Sequence, residues 1–241
     1  MNRQAQSAVL FLLGASLLHA GTTDLYLRYV KQGLRPLVLV AGAVLIAAAV
    51  ATIWYERKRA GRRDPGGAHD HVHPEPRVSW LLVLPLLALI LVAPPALGSY
   101  SATRTGTALQ EPLAYPALPA ADPLPLSVVD YAGRAVYDHG RTLRHRQVQL
   151  TGFLALDRDG TPYLVRMALN CCAADAQPVK VALTGQVPPV LQPDTWLRIT
   201  GTYTPRRAED PVNGGPIPFI EVTEAKPVQA PKDPYDESWN G

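Results

Sequence analysis

The sequence predicts a membrane-anchored α+β protein, with N-terminal transmembrane helices followed by a small, mainly-β domain that a short helix precedes. Three observations predict it. The first 97 residues hold long uncharged apolar runs, and the remainder alternates apolar and polar residues at the period of a strand. Charge divides at the same point, with 10 Lys+Arg against 5 Asp+Glu up to residue 97 and 13 against 15 beyond it. The net charge of +3 therefore comes from the apolar half. It does not argue for nucleic acid, which would need a basic stripe on the folded domain.

Residues 36–55, PLVLVAGAVLIAAAVATIWY, are uncharged and end in Trp54 and Tyr55. About 20 such residues cross ~30 Å of hydrocarbon with aromatics at the interface. Residues 79–98, SWLLVLPLLALILVAPPALG, read as another span, with Trp80 at one interface and Pro94-Pro95 at the far end. The stretch at about 7–22 is short for a span. It reads as a retained helix, because signal cleavage after Ala20 would leave Leu18 where a small residue is required. His19 within it reads as a lone polar residue facing a neighbouring helix.

Orientation follows from Arg57, Lys58, Arg59, Arg62 and Arg63 in the loop 56–78, since positive residues stay on the cytoplasmic side. Three spans then put the loop near 23–35 and the C-terminal domain outside. Arg28, Lys31 and Arg35 in that first loop weigh against this orientation without reversing it. In the inner loop, GGAHDHVHPEP alternates His69, His71 and His73 around Asp70. Imidazoles with a carboxylate suit zinc, nickel or copper, and a Gly/Pro-rich loop suits a solvated linker equally.

Residues 99–125, rich in Pro, Ala and Thr, read as an extended tether. Ser127 then caps a helix over VVDYAGRAVYD whose apolar face is Val128, Tyr131, Ala132, Ala135 and Val136, with Gly140 as the stop. From Gln147 the period becomes that of strands. QVQLTGFLALD and TPYLVRMALN flank the turn DRDG at 157–160, and further strands run over 179–183, TWLRITGTYT and IPFIEVTEAKPV. Five short strands, two of them with a mid-strand glycine where a coiled strand bends, predict an OB-like barrel over 126–235, with an incomplete sandwich as the rival and 236–241 as a tail. Leu150, Phe153, Leu164, Val181, Leu197, Ile199 and Ile220 are the expected core.

The chain's only two cysteines, Cys171 and Cys172, are adjacent in NCCAADAQP. Such a pair serves as metal thiolates, as a redox couple or as packing. In extended conformation the two thiols face opposite sides, an objection that a turn at Cys172 removes. Asp175, carried back by AAD, is then a third ligand or orienting group for a soft or borderline cation such as zinc. Water, His139, His145 or a group from a partner is left to complete four-coordination. Arg166 is placed to hold a thiolate or Asp175. The structural alternative has Asp175 capping backbone N–H groups and Cys171 packed inside. The sequence holds no Gly-rich phosphate loop, HExxH, GxSxG or CxxC, and the expectation is a protein that is not an enzyme.

The short spans, the His-containing loop and the blocks VQLTGF, LVRMALNCCAADAQPV, WLRITGTY and a closing Pro-rich segment resemble the YcgQ-like family of bacterial permease subunits. The family block falls on Arg166, Cys171, Cys172, Ala173, Ala174, Asp175, Ala176 and Pro178, while the loop departs in having only three histidines. The resemblance implies a partner, a larger polytopic YcgR-like permease in the bacterial cytoplasmic membrane. It also implies a role in metal, namely zinc, homeostasis. The alternative is an extracytoplasmic thiol- or metal-binding or structural adaptor acting without a permease.

Overall fold

Long runs of Leu, Val and Ala leave a segment no way to satisfy its backbone in an apolar setting except its own helical ladder. In the computed structural model, which describes residues 3–60, 81, 83–92, 94–187 and 192–237, such runs form α1 (Arg3–Thr22), α2 (Arg35–Ala60) and α3 (Val83–Leu91). His69, His71 and His73, with Arg62 and Arg63, lie outside the described residues. The chain divides into two compact units, Met1–Tyr26 with Gln32–Pro95, and Leu27–Lys31 with Ala96–Gly241.

Within the first unit, segments Gln4–Thr22 and Gln32–Lys58 are helices long and apolar enough to cross a membrane. They meet through small residues. A Cβ on Gly14 would lie 2.8 Å from the Gly42 carbonyl oxygen, so the backbones approach as only glycine permits. Away from that contact the apolar surface is uncovered, with Leu37, Val40, Val44 and Trp54 all exposed. His19 is exposed rather than turned to a neighbouring helix. The run expected to span 79–98 is helical only over Val83–Leu91 among its described residues. Pro94 and Pro95 lack the N–H needed to continue the ladder, and from Ala96 the chain belongs to the second unit.

The second unit is built on β1 (Leu124–Pro125), α5 (Val128–Val136), β2 (Gln147–Leu156), β3 (Pro162–Leu169), β4 (Gln177–Gly185), β5 (Trp196–Glu209), β6 (Pro216–Pro227) and β7 (Tyr235–Glu237), with α4 (Ser99–Arg104) before them. Among the described residues, five strands close a barrel in the order β2-β3-β4-β6-β5-β2, with β4 and β6 parallel and the remaining pairs antiparallel. This is the OB arrangement. Within the barrel, β2 serves two partners. Gln147–Phe153 pairs with β5 and Phe153–Leu156 with β3. The change of partner falls next to Gly152, where a Cβ would sit 2.7 Å from the Val165 carbonyl oxygen. The second mid-strand glycine, Gly201, lies at a register shift in β5 and backs onto the Glu221 carbonyl.

Two apolar layers sandwich the barrel wall. Leu150, Leu164, Val181, Leu197, Ile199 and Ile220 point into an interior that α5 closes, with Ser127 capping that helix by accepting from Asp130 N at 2.9 Å. Phe153, expected in the same core, is buried on the opposite face with Tyr163, Val165, Met167, Ala182 and Phe219. Strand β3 is buried on both faces, which is why it reads as a nearly continuous apolar run.

The stretch 99–125, expected as an extended tether, is instead strapped onto the barrel. Ala102 of α4 is fully buried in the outer layer, and Leu109 and Leu124 are buried as well. The Thr107 amide donates to Asp210 at 2.9 Å, Lys180 Nζ to Thr105 O at 3.0 Å and Arg134 to Pro116 O at 2.8 Å. No periodicity marks this segment because isolated anchors and backbone bonds hold it, not a regular face. Its course matters for function. The outer face of β3 and β4 is where OB barrels receive ligands, and here α4 covers it. Of the tail expected over 236–241, the described residues Asp236 and Glu237 likewise belong to the fold, in β7. Asp236 pairs with Arg166 at 2.9 Å and accepts from Val128 N at 3.1 Å.

Candidate metal centre

With that outer face covered by its own chain, the chemistry collects at the turn joining β3 to β4. Strand β3 ends at Leu169, and Ala173–Asp175 form a single 3-10 turn before β4 begins at Gln177. Cys172 is extended, at φ −153° and ψ 168°, and stands just ahead of that turn. The reversal after it folds Asp175 back over the cysteines. Asp175 Oδ1 accepts from Asn170 N at 3.1 Å, and Oδ2 from Cys171 N at 3.0 Å. Oδ2 also accepts the Cys171 thiol proton, at 2.9 Å.

One ligand atom from each of Cys171, Cys172 and Asp175 lies within 4.8 Å of the others. Cys171 is exposed, Cys172 half-buried, and both thiols are free. Cys172 itself is extended and the turn follows it, so the three ligand atoms come within this distance without the turn at Cys172 that the sequence reading invoked. The donor set fits a borderline ion: two sulfurs and a carboxylate oxygen match zinc, and the three leave a tetrahedral position open. Beside the turn is a pocket of about 120 Å³ with Asn170, Asp175 and Gln177 among its lining, room enough for several waters.

The hydrogen bond to Asp175, followed by that to Cys172, pushes the Cys171 thiol up to about 11. Partial desolvation pushes the Asp175 carboxyl up, but the bonds from Cys171, Asn170 and Cys172 outweigh it and hold the group below its ordinary value. The pair therefore rests as a thiol on a carboxylate. A cation that takes the sulfurs must displace that proton.

Arg166 does not serve this site. Its Nε donates to Asp236 and its Nη2 to Tyr235 O at 2.9 Å, and its guanidinium lies 5.1 Å from the Trp196 ring centroid. It clips β7 to the barrel instead. Among the described residues no histidine joins the cluster. His139 Nδ1 is 3.2 Å from Arg207 Nη2, on the α5 side of the barrel. The structural alternative holds in part, since Asp175 does cap the turn, but Cys171 is not packed inside.

One contributor carries no local signal. Residues 29–31, expected only as part of a connection between spans, lie against the cysteines through an isolated bridge. Val30 bridges Cys172 in antiparallel fashion, Lys31 N donates to Cys171 O at 3.1 Å and Ala173 N to Tyr29 O at 2.7 Å. Tyr235 Oη fixes the same segment by donating to Arg28 O at 3.0 Å. More than a hundred residues separate these partners, and no local pattern encodes such a pairing.

No curated protein and no solved structure matches the chain. Residues 130–236, which carry Cys171, Cys172 and Asp175, match the family model described as the DUF1980 C-terminal domain, and this match is consistent with the YcgQ-like resemblance of the sequence.

Proposed function

We propose that this chain is an accessory membrane subunit of a permease, acting in metal homeostasis, whose extracytoplasmic barrel binds zinc or a similar cation through Cys171, Cys172 and Asp175. The observation that carries the reading is the exposed cluster itself, two free thiols and a carboxylate within 4.8 Å on a turn held in shape before any ion arrives. Preorganised donors lower the ordering cost of binding.

Membrane anchoring is supported by the exposed apolar surface of α1 and α2, which a core helix would bury. Orientation draws on the arginine cluster after α2, which favours a cytoplasmic loop there and the C-terminal domain on the other side. Spans this poor in polar groups offer a solute no route, which is why the reading needs a polytopic, YcgR-like permease as partner.

Metal analysis of the reduced full-length protein beside the Cys171→Ser/Cys172→Ser variant tests the site. One zinc in the parent and none in the variant is the expected result; equal substoichiometric zinc in both returns the turn to a structural role. That second reading, an adaptor acting without a permease, is favoured by the backbone capping of Asp175. Mild-detergent extraction separates the two: a permease of the YcgR-like class identified in the purified complex supports the first, and a chain recovered alone supports the second.

A further inference from the structure

We infer that residues Tyr29–Lys31 form a clasp on the thiol site that tightens when the site is occupied, an inference that rests on the metal-binding reading above. The backbone on both sides of the cysteines is tied to this segment. The carbonyl of Cys171 receives Lys31 N, and the amide of Ala173 reaches Tyr29 O, so the peptide units carrying both sulfurs are held between two bonds to one short segment. The ligand atoms lie within 4.8 Å of one another. A tetrahedral ion with Zn–S bonds of about 2.3 Å holds two sulfurs about 3.8 Å apart. Closing on the ion draws the Cys171–Asp175 turn inward by up to about 1 Å. It also replaces the proton that Cys171 shares with Asp175.

A turn clamped to a neighbouring segment cannot contract without moving or tightening the clamp. The device is therefore a two-bond clasp on the turn that carries the ligands. Linkage makes it reciprocal: whatever the ion adds to the clasp, loss of the clasp removes from the ion.

The test uses the full-length protein in detergent with zinc chloride as the probe. Hydrogen exchange at the Lys31 and Ala173 amides slows on zinc addition, and does not change in Cys171→Ser/Cys172→Ser. Lys31→Pro, which removes the donor to Cys171, weakens zinc binding at least about fivefold, the low end of ordinary coupling. Zinc bound with unchanged exchange at both amides and unchanged affinity in Lys31→Pro overturns the clasp while leaving the metal site standing. The exchange measurement on the unsubstituted protein decides the matter even if the proline variant does not fold. A parent chain that takes up no zinc overturns both.

Discussion

Two carboxylates hold corners of the same barrel, and they are built alike. Asp210 accepts Lys180 Nζ at 2.7 Å and Thr107 N at 2.9 Å, while Asp175 accepts a thiol and the amides of the residues before it. What differs is access. The Asp210–Lys180 pair is sealed, with the side chains 0% and 3% exposed, whereas Cys171 stands in solvent. A sealed pair can exchange its partner only by unfolding, so it holds α4 and the segment after it to the barrel and does nothing more. An open corner whose donor is a displaceable proton can trade that proton for an ion. The same hydrogen-bonding device is thus structural in one place and chemical in the other, and burial decides which.

The largest expected effect lies at the sealed corner. Lys180→Met leaves Asp210 buried without its cation and should destabilise the protein by about 3–5 kcal/mol. Thermal unfolding of the full chain followed by tryptophan fluorescence reads this, and zinc content per folded chain should not change. A variant that keeps its stability would show that water reaches Asp210 and would erase the distinction.

A smaller effect is expected at the open corner, and in the opposite observable. Asp175→Asn keeps an oxygen for the backbone amides but removes the charge, so zinc affinity should fall about tenfold or more while stability changes little. Competition with a chromogenic chelator measures it. Unchanged affinity would make Asp175 a cap and leave the sulfurs as the sole ligands.

The smallest effects are those of pH. Because Asp175 titrates below its ordinary value in the folded protein, its contribution is present above the unfolded carboxylate pKa and is lost as pH falls through the folded one. For Cys171 the sign reverses. Its value rises from 9.0 to about 11, so the stabilisation is complete below 9.0 and disappears as pH climbs through about 11. Thiolate absorbance should place one of the two thiols near 11, and Asp175→Asn should bring it back toward 9.0. Zinc affinity should increase as pH rises toward the same value, because fewer protons then compete for sulfur.

Much of the barrel is legible along the chain. Ser127 caps its helix three residues ahead, Gly160 closes the DRDG turn at φ +85°, and Gly152 and Gly201 sit where strands bend or slip. Each of these is an interaction within a few residues, or a backbone demand that one residue type meets. Less legible was the strap over residues 99–125, whose anchors follow no period. Arg166 misled for a related reason: its neighbours in sequence are the cysteines, but its partner Asp236 is 70 residues away.

The sequence by itself determined α1, α2, α5 and the five barrel strands, where the apolar runs lie, and that the two thiols and Asp175 fall together between β3 and β4. All of these follow from periodicity, capping and spacing, which act over a few residues. The tertiary structure alone decided that α4 covers the ligand face of the barrel, that Arg166 is spent on the C-terminal strand, and that Tyr29–Lys31 clasp the cysteines. Those pairings close loops of tens to hundreds of residues, whose entropic cost grows only slowly with length. Partners are therefore chosen by which surfaces remain uncovered once the barrel has closed, and no single segment carries that information.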